Sequence, residues 1–265
     1  MDDEIPMAGG GRTAVGRRGD VVYRPVEAWT PAVHALLRHL ENVGFDAAPR
    51  LVGSGISDDG REQLRFVAGT FNQPGPFTDD GLSELGRVVR RLHDATATFV
   101  PPTDACWFAW HGREWGSATG PDRIVSHCDL APWNIVIRDE LPVALIDWEF
   151  AGPVDELVAM AQVCWLNVKL HDDIVAETDG LPPLADRARQ LRLLVDGYEM
   201  PAVQRVRLVQ AMIEFALSEV AWEADDANVV PGAVPNPEGL WGMAWRARAG
   251  RWMMRHRGVL ENALA

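Results

Sequence analysis

The sequence predicts an α+β chain of two lobes, a small strand-rich lobe over residues 1–70 and a larger, mainly helical lobe over 71–265. Three observations predict it. Short runs of β-branched and aromatic residues, broken by one amphipathic stretch, fill the first lobe. Three brief apolar runs separated by polar loops lie at the centre of the chain. From residue 155 onward apolar residues recur at helical spacing almost to the end.

Each element follows from local chemistry. Gly9-Gly10-Gly11-Arg12-Thr13 is a glycine-rich turn. Ala14-Val15-Gly16 and Val21-Val22-Tyr23-Arg24, on either side of Gly19-Asp20, read as a β-hairpin. Thr30 suits a helix cap and Pro31 the first helical position. Val33, Leu36, Leu37, Leu40 and Val43 then make one apolar face, and Gly44 ends it. Arg50–Gly53 and Gln63–Val67 read as two further strands joined by Asp58-Asp59-Gly60. Thr78 caps a helix striped with Leu82, Leu85, Val88, Val89 and Leu92. Ile124-Val125, Ile135–Ile137 and Val143–Ile146 are short and β-branched, so they are strands. Helices are predicted over 155–170, 184–198, 202–224 and 238–262.

Composition bounds the function. Hydrophobic residues make up 47% and charged residues 24%, which suits a globular fold and excludes a disordered or coiled-coil chain. The net charge of −13 argues against nucleic acid or an anionic membrane as partner and is compatible with a cationic substrate. Three cysteines, Cys106, Cys128 and Cys164, give neither a disulfide framework nor a paired zinc motif, so a reducing, cytoplasmic setting is expected. The acidic start, Met1-Asp2-Asp3-Glu4, lacks the apolar core of a secretory signal. No apolar run reaches the roughly 18 residues that span a membrane. Nothing in these residues indicates an oligomeric state.

The chemistry concentrates in Ser126-His127-Cys128-Asp129-Leu130-Ala131-Pro132-Trp133-Asn134 and in Ile146-Asp147-Trp148-Glu149. Both lie at the ends of predicted strands, so two carboxylates and an amide can converge. Phosphoryl transfer needs such a set. One carboxylate orients an attacking hydroxyl and accepts its proton; an amide oxygen and a second carboxylate hold Mg²⁺ on nucleotide phosphates. Either aspartate alone would be ordinary turn or cap chemistry.

The two stretches resemble the catalytic loop and metal strand of the aminoglycoside phosphotransferase and choline kinase-like family, which has a two-lobed, protein-kinase-like fold. That family reads H-G-D-x-x-x-x-N followed by I-D-[FW]-[DE]; here His127-Cys128-Asp129 with Asn134 and Ile146-Asp147-Trp148-Glu149 stand in those places. Gly9-Gly10-Gly11 with its hairpin resembles a shortened nucleotide loop, Arg91-Leu92-His93 the end of the first large-lobe helix, and Ala151-Gly152-Pro153 the turn after the second aspartate. The resemblance implies a small-molecule kinase that moves the γ-phosphoryl group of ATP or GTP, with Mg²⁺, to a hydroxyl of a small acceptor such as an aminoglycoside or another antibiotic. It assigns Asp129 as catalytic base, Asn134 and Asp147 to the metal, and His127 to bracing the loop. It places nucleotide contacts at Arg24, Gly10, Thr13, Phe66 and Val67, and acceptor contacts at Glu149, Glu219 and Glu223.

Three departures stand out. Cys128 replaces the usual glycine. Kinase-like folds pair a strand lysine with a helix glutamate, yet the single lysine here, Lys169, lies past the catalytic loop and Arg24 occupies the strand position. The following helix has Val33 and His34 near the expected glutamate. Leu157-Val158-Ala159-Met160 stands where relatives carry an aspartate. An alternative is therefore a degenerate relative that binds nucleotide or metabolite without efficient transfer. The late acidic residues Glu214, Glu219, Glu223, Asp225 and Asp226 fit either a cationic acceptor or a solvated helix face.

Overall fold

The structure is a computed structural model and describes residues 4–7, 14–114, 123–232 and 236–265. The small lobe is a five-stranded antiparallel sheet in the order β1-β2-β3-β5-β4. Its strands are β1 (Ile5–Pro6), β2 (Gly16–Arg18), β3 (Val21–Arg24), β4 (Leu51–Ile56) and β5 (Glu62–Arg65). The register of β3 on β5 sets Val22 opposite Leu64 and Arg24 opposite Glu62. Helix α1 (Thr30–Asn42) buries Val33, His34, Leu36, Leu37 and Leu40. Thr30 is not its cap, contrary to the sequence reading. It is the first helical residue, and its hydroxyl accepts from the Glu27 amide at 2.9 Å, tightening the entry turn instead.

After β5 the chain crosses to the large lobe, where Thr70 exchanges two backbone hydrogen bonds with Ile137. Helix α2 (Asp79–Thr96) is capped as expected, the Thr78 hydroxyl accepting from the Gly81 amide at 3.1 Å. Its predicted stripe, Leu82, Leu85, Val88, Val89 and Leu92, is wholly buried. It lies backbone to backbone on helix α5 (Leu184–Gly197): a Cβ at Gly86 would stand 2.2 Å from the Leu194 carbonyl oxygen.

The central strands form two hairpin-like pairs, β6 (Arg123–Ser126) with β9 (Gly152–Asp155) and β7 (Ile135–Arg138) with β8 (Leu141–Leu145). Strand β9 is absent from the sequence reading; its register against β6 holds Gly152-Pro153 extended just before the expected helix. Helix α3 (Glu156–Asn167) then starts at Asp155, whose carboxylate accepts from the amides of Leu157 and Val158. It is buried on all sides. A short helix α4 (Asp173–Asp179), also unpredicted, precedes α5. The remaining helices are α6 (Ala202–Asp226), α7 (Pro237–Arg255) and α8 (Arg257–Leu264). The last two replace the single helix read over 238–262, with the break at His256. No helix among the described residues is long and apolar enough to cross a membrane.

Candidate active site

Two loops at strand ends build the site. The first leaves β6 as His127-Cys128-Asp129 and turns through Pro132–Asn134 into β7. The second leaves β8 at Asp147 and turns through Trp148–Phe150 into β9. His127 ties them together. Buried completely, it donates from Nε2 to the Ile146 carbonyl at 2.8 Å, and its Nδ1 accepts from the Asp129 amide at 3.3 Å. Burial pushes its pKa down to about 4, so it remains a neutral strut. The Ile146 amide bonds the Asn134 carbonyl at 2.9 Å, a second tie.

The cysteine in the glycine position has a backbone reason to be unusual. Cys128 adopts φ of +62°, in the left-handed region that glycine enters freely and other residues enter at a cost. Its buried thiol donates toward the carbonyls of Ser126 and Gly152, and burial pushes its pKa up to about 11. It is an inert wall, not a nucleophile. Helix α3 supports the loop through two side-chain amides: the Gln162 side-chain oxygen accepts from the Leu130 amide, and the Asn167 amide donates to the Leu130 carbonyl at 2.7 Å.

Asp129 faces a concentration of negative charge. Burial, together with the charges of Asp147, Glu219 and Glu149, pushes its pKa up to about 7. The Asn134 amide works against that shift by donating to Asp129 Oδ2 at 2.8 Å and to its carbonyl at 2.9 Å. With its nitrogen so engaged, Asn134 keeps its Oδ1 as the oxygen that could meet a cation. Asp147, also left-handed at φ of +65°, presents a part-exposed carboxylate whose charge is felt at Asp129. This hard-oxygen pair fits Mg²⁺, which is commonly held by one or two protein oxygen groups together with substrate phosphates. No cluster of three or more histidine, cysteine or acidic side chains suited to a closed metal site occurs among the described residues.

Arg24 reaches this site from β3. Its Nη1 lies 2.7 Å from Asp147 Oδ1, its Nη2 3.1 Å from Glu149 Oε2, and its Nε 3.7 Å from Glu62 Oε2. Burial opposes its charge, but Asp147, Glu62 and Glu149 outweigh burial and hold its pKa above the ordinary value. Glu149 is thus turned toward the lobe junction. Lys169 is remote from the phosphate role, its ammonium donating to the Pro74 carbonyl.

On the α6 side, Glu219 accepts from His111 Nε2 at 2.6 Å and lies 3.5 Å from Arg246 Nε. Glu223 is ion-paired with Arg246. His111 stacks on Trp222 with ring centroids 5.5 Å apart, and Trp222 meets the edge of Phe150 at 6.4 Å. Phe66 follows β5 under the Arg17 guanidinium, 3.5 Å from its ring centroid, and Val67 comes next, half-buried. Gly10 and Thr13 lie outside the described residues.

Sequence reasoning missed Glu62, Arg113, His111 and Arg246. Arg113 gathers the turn after Asp147, donating to the carbonyls of Phe150, Ala151 and Pro153. It sits in an irregular stretch, where spacing carries no signal. Glu62 carried one: a carboxylate two residues before Leu64, on the same inward face of a short strand.

The two-lobed fold is that of kinase-like phosphotransferases, and its two strand-end loops carry Asp129, Asn134 and Asp147. The profile of the phosphotransferase enzyme family matches residues 99–178 and so spans both loops. Over its whole length it is similar to the trifolitoxin immunity protein of Rhizobium leguminosarum bv. trifolii, 49% identical over 265 residues and covering 100% of both chains. Among solved structures it resembles a microcompartment-associated aminopropanol kinase, with a TM-score of 0.69 and 14% identity over 100% of this chain and 95% of that one. An amicoumacin kinase, solved in complex with AMP-PNP, Ca²⁺ and Ami, also has a TM-score of 0.69, with 12% identity over 94% of this chain and 88% of that one.

Proposed function

We propose that the chain transfers the γ-phosphoryl group of ATP or GTP to a hydroxyl of a small toxin or antibiotic, in the cytoplasm, and so protects the cell that makes it. One observation carries the reading: Asp129 is a carboxyl with its pKa pushed up to about 7, beside two oxygen-bearing side chains suited to Mg²⁺. A base so poised holds a proton loosely at neutral pH. In this reading Asp129 orients the acceptor hydroxyl and takes its proton as the oxygen attacks phosphorus. Asn134 and Asp147 would hold Mg²⁺, which would neutralise charge on the terminal phosphates. Arg24 exchanges Asp147 and Glu149 for phosphate oxygens, with Gly10, Thr13, Phe66 and Val67 completing the nucleotide site. Glu219 and Glu223, with the His111–Trp222 stack, line the acceptor side and favour an amine-bearing molecule. The relative's name, an immunity protein, supports a toxin as acceptor.

A second reading is a chain that binds nucleotide without transferring phosphate. It is favoured by the Arg24–Asp147 ion pair, which takes up a carboxylate that the metal needs. Incubating the protein with ATP or GTP, Mg²⁺ and a panel of aminoglycosides, amino alcohols and peptide toxins separates the two. An acceptor that gains one phosphoryl group by mass supports the kinase; nucleotide binding with no modified acceptor across the panel supports the second reading.

A further inference from the structure

Glu62 is buried, at 6% exposure, on strand β5. A buried carboxylate needs partners, and it has two from different elements. Arg24 stands opposite it across the β3–β5 register, with Nε 3.7 Å from Oε2. His34 of α1 meets the other oxygen, Nε2 to Oε1 at 2.9 Å. An ionised carboxylate only accepts, so His34 donates. The ring has a prepared place. Gly55 on β4 has φ of +89°, and a Cβ there would stand 2.7 Å from His34 Cε1. The strand gives up a side chain at the one position where the imidazole lies.

The arrangement divides the work of the Arg24 fork. The Nε side faces Glu62 within the small lobe, while Nη1 and Nη2 point across the junction to Asp147 and Glu149. At 3.7 Å the contact with Glu62 is a charge attraction, not a hydrogen bond. Its direction therefore depends on where the carboxylate is held, and His34 holds it. A guanidinium anchored on one edge keeps its planar pair of terminal donors in a fixed orientation.

We propose that Glu62 and His34 are positioning residues that aim the Arg24 guanidinium at nucleotide phosphates, replacing the strand-to-helix lysine–glutamate pair of kinase-like folds. The carboxylate has moved from the helix to the neighbouring strand, and the helix supplies an imidazole. Helix α1 thereby stays coupled to the phosphate-facing cation through a chain of three side chains. The proposal rests on the reading of Arg24 as that cation.

The test is nucleotide affinity of the full chain, measured by titration calorimetry with ATP, with and without Mg²⁺, alongside melting temperature. Glu62→Gln, which keeps the shape, should weaken ATP binding at least fivefold, and His34→Leu should do the same. His34→Gln retains an N–H donor and should bind within twofold of the native chain. In an Arg24→Ala background Glu62→Gln should have less than a twofold further effect, because its role runs through Arg24. Should His34→Leu not fold, Glu62→Gln and the double variant still decide. If Arg24→Ala binds ATP as the native chain does, the reading of Arg24 falls and the proposal with it. If Arg24→Ala is impaired while Glu62→Gln is not, or if Glu62→Gln weakens binding equally in both backgrounds, the positioning role alone is overturned.

Discussion

Replacing Asp129 by asparagine should stabilise the fold while removing the base. The substituted amide keeps a side-chain oxygen where the Asn134 amide donates, so the loop loses a charge and little else. The gain follows from linkage. In the folded chain the Asp129 carboxyl is pushed up to about 7 from an ordinary 3.8, so the native state binds its proton more tightly than the unfolded state. Between those pH values the unfolded chain has released a proton that the folded chain retains, so stability falls as pH rises through that window and levels off above it. A rise of this size corresponds to at most about 4 kcal/mol, fully expressed above pH 7. At pH 5 the same arithmetic leaves about 1.5 kcal/mol, and near pH 3 almost nothing. Urea unfolding of both chains at pH 8 and pH 5 measures this directly. The variant should be the more stable at pH 8, by an amount that shrinks on acidification. A variant no more stable than the native chain at pH 8, or a gap equal at both pH values, would refute the burial of Asp129 among neighbouring carboxylates on which its role depends.

Asp147→Ala and Asn134→Ala should weaken nucleotide binding more in Mg²⁺ than in its absence, and equal losses in calorimetry would remove them from the metal site. Arg24→Ala should reduce nucleotide affinity or turnover at least tenfold, roughly 1.4 kcal/mol, with Arg24→Lys restoring part, since charge returns without the fork. Cys128→Val places a branched side chain at a left-handed position in a closed pocket and should cost at least about 2 kcal/mol in urea unfolding. Cys128→Gly should fold and keep activity. A stable Cys128→Val chain would contradict the backbone account of that position.

What the sequence disclosed divides along a physical line. Asp129, Asn134, Asp147 and His127 sit in two short contiguous stretches, so the residue types and order of the candidate site were legible. The amphipathic stripes of α1 and α2 were legible because a buried face imposes its period on one helix alone. Strand β9 was not, since Gly152–Asp155 is extended only because β6 lies beside it. The contacts of Glu62, His111 and Arg113 come from segments distant in sequence, and no local pattern encodes a register or a crossing. Arg24 lies between the two cases. Its position on the hairpin was readable, but its three carboxylate partners belong to β5 and the loop after β8.

In the proposed mechanism Asp129 serves transfer and not nucleotide binding. The most direct measurement pairs two readouts on the native chain and Asp129→Asn: labelled γ-phosphoryl transfer to an acceptor found by the panel, and ATP affinity in Mg²⁺ by calorimetry. Transfer should be abolished in the variant while ATP affinity stays within a few-fold of native. Transfer that survives the substitution would contradict the mechanism.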